Sequence, residues 1–134
     1  MNIDLNELPD AIDSILNDYS SNLRDAINAD TATIAEELRK AITADAPVSK
    51  TPHKKRKTGT QKKSWKIAKE KVAGIDLLCI VHSTDYQLVH LLENGHLTRD
   101  GKTRSKAFHY VSKNEEQMRQ KYQTMLERTI RTVK

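Results

Sequence analysis

The sequence predicts an α+β protein with a long amino-terminal helix, a small antiparallel sheet with a short helix, and a carboxy-terminal amphipathic helix. Stretches at both ends of the chain repeat apolar residues at steps of three and four, the spacing of one helix face. Between them lie two runs rich in apolar and β-branched residues, which is the composition of strands. The 134 residues suit a single domain overall. Because only 37% of them are hydrophobic, we expect oligomerisation to supply part of the burial.

Residues 1–47 are predicted to form a helical arm. Pro9 suits a first helical turn, and Pro47 ends the helix. About 37 helical residues make a rod of roughly 55 Å, which is more than a compact domain with a radius of gyration of roughly 14 Å can cover. We therefore expect the arm to pack partly on neighbouring subunits, the alternative being an intramolecular core along its whole length. The segment Asn28–Thr33 is the predicted weak point, where a bend or break is expected.

A basic segment follows the arm. Residues 48–63 are almost devoid of apolar side chains, so we expect a mobile loop. Residues 50–66 carry eight Lys and Arg and no acid, whereas residues 1–49 carry ten Asp and Glu against three Lys and Arg. This asymmetry suggests complementary contacts between subunits or with a polyanion. The residues expected to contact a neighbouring subunit or DNA are Lys54, Lys55, Arg56, Lys57, Lys62 and Lys63.

An α+β core is predicted over residues 64–134. Two strands, Ser64–Val72 and Ile75–Ser83, are joined by a short turn that contains Gly74. A short helix follows and stops at Gly95. The final helix is predicted to begin at Asn114, because an asparagine followed by two glutamates in the next turn is a typical helix start.

The chain has no residue pattern typical of a catalytic or metal site. An HExxH zinc site needs two histidines four apart, whereas His90 and His96 are six apart and His109 is thirteen further along. The sequence has no Gly-x-Ser-x-Gly elbow and no phosphate-binding loop. The single cysteine, Cys79, excludes a disulfide within the chain. We therefore expect no enzyme, no cofactor and no metal; a histidine–metal enzyme is the remaining alternative.

Non-specific DNA binding by the basic 50–66 segment is the alternative function. Clustered Lys and Arg residues neutralise phosphates, and such contacts dominate non-specific affinity. However, Trp65 is the one aromatic residue nearby, and the sequence contains no recognisable nucleic-acid-binding module. A membrane partner is not expected, because the longest apolar run, residues 73–82, is too short to span a bilayer. The acidic amino terminus also lacks the features of a signal peptide.

Residues 58–130 resemble the neck or tail-component proteins of long-tailed bacteriophages, which include minor tail, tail-completion and head–tail joining proteins. The stretch "STDYQLVHLLENGHLTRDGKTRSKAFHYV" is similar to the family pattern of a strand, a "Y…HLLE.GH" segment, a variable polar loop and a Phe-His element before an amphipathic helix. The stretch "TGTQKKSWKI" looks like the start of the family's sheet. The matching positions are Tyr86, His90, Leu91, Leu92, Glu93, Gly95, His96, Phe108 and His109.

The resemblance implies a structural virion protein of the phage neck that joins head and tail. Its copies are expected to form a homo-oligomeric ring around the DNA channel, with six-fold symmetry because the tail is six-fold. The expected partners are further copies of the chain, neighbouring connector and tail proteins, and DNA in the channel. The expected location is the virion, after synthesis in the host cytoplasm.

The same stretch is predicted to form a structural corner built by His90, Glu93, Gly95 and His96. Gly95 can take a positive φ and end the helix, while Glu93 and His96 can tie the following loop back. The loop then becomes a polar finger that can reach a neighbouring subunit or DNA. Its basic contact residues are Arg99, Lys102 and Arg104.

Overall fold

The computed structural model describes residues 4–48, 59, 61–74 and 76–133. It confirms the predicted α+β class, with a long amino-terminal helix, a two-stranded antiparallel sheet, a short helix and a carboxy-terminal helix. The elements are α1 (Leu8–Asp45), a 3₁₀ turn (Lys62–Ser64), β1 (Trp65–Val72), β2 (Asp76–Ser83), α2 (Tyr86–Asn94) and α3 (Tyr110–Thr132). No helix within the described part of the chain is long and apolar enough to cross a membrane.

Helix α1 is unbroken over its 38 residues, a length of about 57 Å. The predicted weak point at Asn28–Thr33 is helical throughout, so the expected bend or break was wrong. Contacts with other elements hold this stretch in place. Thr31 Oγ1 lies 2.6 Å from the Tyr122 hydroxyl, and the Asn28 side-chain oxygen accepts a hydrogen bond from the Leu77 N–H at 3.1 Å. Tertiary contacts of this kind override a weak local helix propensity.

The two strands form a hairpin with one face on α1 and one face open. Trp65 pairs with Ser83 at the open end of the hairpin, and Val72 pairs with Asp76 beside the turn. Exposure alternates along β2, so the half-buried side chains face α1 and the others face outward. Leu78 on the outer face remains 43% exposed.

Helix α3 packs antiparallel to the carboxyl-terminal half of α1. Polar contacts descend along α1 as they ascend along α3: Asp45 with Asn114, Glu37 with Lys121, Thr31 with Tyr122, and Asp30 with Thr129. The last pair brings the end of α3 level with residue 30 of α1. Residues of α1 nearer the amino terminus therefore extend beyond α3.

Helix α3 begins five residues earlier than an Asn114 cap would place it. Its first helical residue is Tyr110, so the assignment of Asn114 as the amino-terminal cap was wrong. Asn114 is instead buried, and its side-chain amide donates to the Tyr110 carbonyl at 2.7 Å and to Asp45 at 2.9 Å. Its role is to join two helices.

The core lies at the carboxyl end of α1. Ile42, Ala46, Trp65 and Tyr110 form a buried cluster, with the two rings packed edge to face at 6.5 Å between centroids. The buried Gln61 side chain donates to the Tyr110 hydroxyl at 2.7 Å. Burial raises the pKa of Tyr110 to about 12, the hydrogen bond from Gln61 opposing it in part.

Most of the predicted loop, residues 48–63, lies outside the described residues. Its last part is built into the fold, because Gln61 is buried and Lys62–Ser64 forms a 3₁₀ turn that leads into β1. The Ser64 hydroxyl also contacts the buried Ser83 hydroxyl across the start of the hairpin.

Candidate functional site

The Glu93 carboxylate joins the end of α2 to the start of α3. Its two oxygens accept hydrogen bonds from the N–H groups of Val111 and Ser112, each at 2.9 Å. These amides belong to the first turn of α3, where N–H groups have no intrahelical partner. Glu93 therefore caps α3 from another helix, in the place where a cap residue of α3 itself would act.

The electrostatics of Glu93 agree with that geometry. Partial burial raises the pKa of its carboxyl group, but the bonds from Val111 and Ser112 and the attraction of His109 act in the opposite direction. The net result is a pKa below its usual value of 4.5. The folded protein therefore favours the charged form of Glu93, which is the form that accepts both amide hydrogen bonds.

Gly95 makes the turn between α2 and the following loop. Its backbone has φ of 73° and ψ of 169°, a region occupied almost exclusively by glycine. A Cβ atom built on Gly95 would lie 2.7 Å from the backbone oxygen of Ser105. Both the backbone conformation and the available space therefore require glycine at this position.

His96 and Ser105 close the base of the polar finger, which we define as residues 96–105. The two residues are tied by backbone and side-chain bonds: the Ser105 N–H donates to the His96 carbonyl at 2.8 Å, and the His96 N–H donates to Ser105 Oγ at 3.0 Å. Ser105 Oγ also lies 2.9 Å from His96 Nδ1. The finger is thus anchored at both of its ends.

The tip of the finger is a tight turn organised by Asp100. Its carboxylate accepts bonds from the Thr98 hydroxyl and from the N–H groups of Lys102 and Thr103. The Thr98 bond, followed by that of the Lys102 N–H, lowers the pKa of Asp100 below its usual value. The finger is therefore a built protrusion, although its residues are largely exposed.

The finger and its base carry exposed positive charge beside exposed apolar groups. The basic side chains are Arg99, Lys102, Arg104 and Lys106. Leu97 is 58% exposed and Phe108 is 42% exposed, and Lys106 Nζ lies 5.3 Å from the centre of the Phe108 ring. The combination of cations and apolar surface is typical of a contact surface for a protein that carries acidic and apolar groups.

His90 lies apart from the other predicted corner residues. Its ring Nδ1 is 3.1 Å from the Asn94 side-chain nitrogen on the exposed side of α2. The structure thus brings together Glu93, Gly95 and His96 at the junction and leaves His90 on the helix surface. Among the residues that the structure describes, no three His, Cys, Asp or Glu side chains are placed to hold a metal ion.

The basic segment is described in part. Residues 54–57, which include three of its lysines and an arginine, lie outside the described residues. Lys62 Nζ lies 3.5 Å from the Ala44 carbonyl oxygen, at the end of α1 where carbonyls lack intrahelical partners. A cation is favourable at that helix terminus, so Lys62 interacts with its own chain, while Lys63 is exposed.

The amino-terminal part of α1 projects from the rest of the chain. We define residues 8–22 as the projecting arm; every residue from 12 to 22 is exposed. Its large apolar side chains occupy one side of the helix and are 39–65% exposed: Leu8, Ile12, Ile15, Leu16 and Tyr19. The arm therefore carries a row of exposed apolar side chains.

Sequence reasoning did not identify Ser105 and Asn114 as site residues. Ser105 holds the base of the finger through a partner nine positions earlier, and Asn114 holds α1 and α3 together through Asp45. Both are small polar residues in segments rich in polar residues, so composition carries no signal for either. The pairing becomes visible only when the chain is folded.

The fold and the site describe a structural protein with a projecting helix and a basic finger. A family model described as "Bacteriophage HK97-gp10, putative tail-component" matches residues 10–95, which include most of α1, the hairpin and α2. No curated protein and no solved structure matched the sequence. The match covers more than half of the chain, so the chain belongs to the HK97-gp10-like family of phage tail components. The resemblance to phage neck and tail proteins is thereby confirmed.

Proposed function

We propose that the chain is a structural subunit of the phage neck that joins head and tail as part of a homo-oligomeric ring around the DNA channel. Membership in a family of phage tail components supports a structural place in the virion. The finer proposal, a ring at the head–tail joint, rests on the projecting arm. The proposed partners of the chain are further copies of itself and neighbouring connector and tail proteins. The chain would be made in the host cytoplasm before it enters the virion.

The exposed arm is the observation that carries this proposal. A helix that exposes five large apolar side chains on one side gains stability when a partner covers them. The rest of the fold is small, with a core cluster of four buried hydrophobic residues. A subunit of this kind obtains part of its burial from assembly, which is the situation of a ring subunit.

No catalytic step forms part of the proposal. Glu93, His96 and Asp100 each bond to backbone or hydroxyl groups that hold the junction or the finger. These carboxylate and imidazole groups therefore stabilise the junction and the finger. Their arrangement supports a rigid corner that presents the finger.

Deletion of the coding sequence from the phage or prophage that carries it tests the proposal. We expect lysates to contain DNA-filled heads and assembled tails that are not joined, as seen by electron microscopy, with joining restored by the wild-type chain supplied in trans. Normal joined virions after deletion would contradict a role at the head–tail joint. Lysates without tails would place the chain in tail assembly and not at the joint.

Non-specific DNA binding by residues 50–66 is the second candidate, favoured by eight Lys and Arg residues without an acid. Replacing Lys54, Lys55, Arg56 and Lys57 by Ser distinguishes DNA binding by this segment from a contact between subunits. We expect DNA-free assembly of the chain to fail if this segment contacts the acidic arm of another copy. If DNA-free assembly is normal and DNA binding alone is lost, the segment is a DNA contact. Replacing four exposed cations elsewhere by Ser, Lys71 on β1 and Lys113, Arg128 and Arg131 on α3, is the charge-matched control.

A further inference from the structure

The projecting arm and the finger lie at opposite ends of the molecule. The arm is the free amino-terminal part of α1. The finger and α2 lie at the carboxyl end of the same helix, because Glu93 caps the start of α3 and Asn114 of α3 bonds to Asp45. The 23 helical residues from the end of the arm to Asp45 separate the two by about 35 Å. The arm of one chain therefore cannot reach its own finger.

The two surfaces are complementary in chemistry. The arm combines its apolar side with Asp10, Asp13 and Asp18, and residues 8–22 contain no Lys or Arg. Residues 96–108 contain four Lys and Arg residues against Asp100. Leu97 and Phe108 in this segment are 58% and 42% exposed, and Tyr86 and Leu91 on α2 are 69% and 39% exposed. An acidic apolar helix and a basic apolar surface attract each other and can bury apolar area together.

We propose that the arm of one copy docks on the finger and α2 surface of the next copy. This inference rests on the proposed function and names the contact that would build the ring. Each copy offers one arm and one finger, so the contact is head to tail. Repetition of a head-to-tail contact generates a closed ring when the rotation closes, and a helical filament when it does not.

Two other surfaces of a second copy are less suitable as the docking site of the arm. Pairing of two arms offers no attraction between opposite charges, because each arm carries Asp10, Asp13 and Asp18 and no Lys or Arg. The outer face of the hairpin exposes Leu78 and Ile80, but its charged residues Lys66, Glu70 and Asp76 give it no excess of positive charge. The finger and α2 surface combines exposed apolar groups with an excess of positive charge over residues 96–108.

Mixing two defective variants tests the head-to-tail contact. The arm variant is Ile12→Ser with Ile15→Ser, and the finger variant is Arg99→Glu, Lys102→Glu and Arg104→Glu. All five side chains are exposed, so both variants should keep the circular dichroism spectrum of the wild type. We expect each variant alone to be monomeric in native mass spectrometry. The equimolar mixture should give a dimer with one chain of each kind and nothing larger, because it contains one intact arm and one intact finger surface.

Three results would overturn the proposal. The first is a wild-type chain that stays monomeric at about 1 mM, since even a weak contact is populated at that concentration. The second is a finger variant that assembles as well as the wild type while the arm variant does not, which would indicate arm–arm pairing. The third is loss of assembly in Ile80→Asp with normal assembly of the finger variant, which would place the arm on the hairpin.

The mixing experiment tests the contact between copies, and the deletion experiment tests the place of the chain in the virion, so each hypothesis can fail without the other. If the variants mix as expected but deletion leaves joined virions, the contact exists and the proposed place at the head–tail joint is wrong. If deletion separates heads from tails but the finger variant restores joining, the place is right and the contact is wrong. Restoration by the wild type and by Ile80→Asp, but by neither the arm nor the finger variant, is the result that supports both.

Discussion

At the scale of single residues, the junction between α2 and α3 requires one position without a side chain, Gly95, and one with a carboxylate, Glu93. Gly95 is needed because a side chain cannot fit, since its Cβ would lie 2.7 Å from the Ser105 oxygen. Glu93 is needed because its carboxylate fills a position, between the first free N–H groups of α3. Together they set the direction in which the finger leaves α2.

Gly95→Ala should therefore destabilise the protein more than Gly101→Ala. Both glycines have positive φ, 73° and 69°, but a Cβ at Gly101 would meet nothing within 4 Å. We expect a loss of about 1–3 kcal/mol in the free energy of unfolding for Gly95→Ala, from the strained backbone together with the clash. Denaturant unfolding of the two variants measures the difference. Equal losses would show that the Ser105 contact has no energetic role.

Glu93→Gln should remove a pH-dependent contribution to stability. The pKa of Glu93 in the folded state is below 4.5, so its stabilisation is present above about pH 4.5 and is lost as the pH falls through the lowered folded value. We expect the variant to cost about 1 kcal/mol at pH 7, as for loss of a helix cap, and less at pH 3. The exposed Glu116→Gln is the control. A cost that does not shrink in acid would contradict the capping role.

At the scale of elements, the structure holds its helices together by contacts between elements. The amino terminus of α3 is capped from α2, its fifth residue bonds to the end of α1, and α1 is held at Thr31 by α3. The elements therefore depend on one another for their ends. This arrangement suits a chain in which the core is small and the helices are long.

The hairpin turn contains a residue whose replacement should increase stability. Ala73 has φ of 53°, a left-handed conformation that costs a non-glycine residue free energy, and Gly74 follows with φ of 72°. Asn-Gly is a favoured pair at two successive positive-φ positions of a hairpin turn. We expect Ala73→Asn to raise the free energy of unfolding by about 0.5–1 kcal/mol. Ala68→Asn in the middle of β1 is the control and should destabilise; an unchanged or lower midpoint for Ala73→Asn would contradict the prediction.

The elements that the sequence predicted correctly are those with a periodic apolar pattern. The strands began within a residue of their predicted starts, and α1 ended before Pro47, because pattern and breaker residues are local signals. The predicted start of α3 was wrong, since the carboxylate that caps its first turn belongs to Glu93, seventeen residues before Tyr110. The partners of Gly95 and His96 were invisible for the same reason. Contacts distant in sequence leave no periodic trace.

At the scale of the whole molecule, the described histidines do not converge on one site. His90 pairs with Asn94, and His96 pairs with Ser105. We therefore expect a chelator to leave the melting temperature of the purified chain unchanged. A drop in melting temperature that added Zn²⁺ reverses would contradict this and would revive the alternative of a histidine–metal site.

The long helix α1 divides the molecule into a packed end and a projecting end. The packed end contains the core, the capped junction and the finger, whereas the projecting end exposes an apolar, acidic surface with no cover from the described part of its own chain. This asymmetry is the basis of the proposed assembly between identical copies. A ring of six would have about six times the 15.3 kDa mass of the chain.

Sedimentation velocity of the purified wild-type chain, over a wide range of concentration, tests whether identical copies assemble through the arm. We predict a discrete oligomer whose mass is a fixed multiple of the chain and does not grow at higher concentration, because a closed ring leaves neither arm nor finger free. Arm truncation that removes residues 1–22 should leave a folded monomer, as judged by circular dichroism. A wild-type chain that sediments as a monomer throughout, or a truncated chain that still forms the oligomer, would contradict the account.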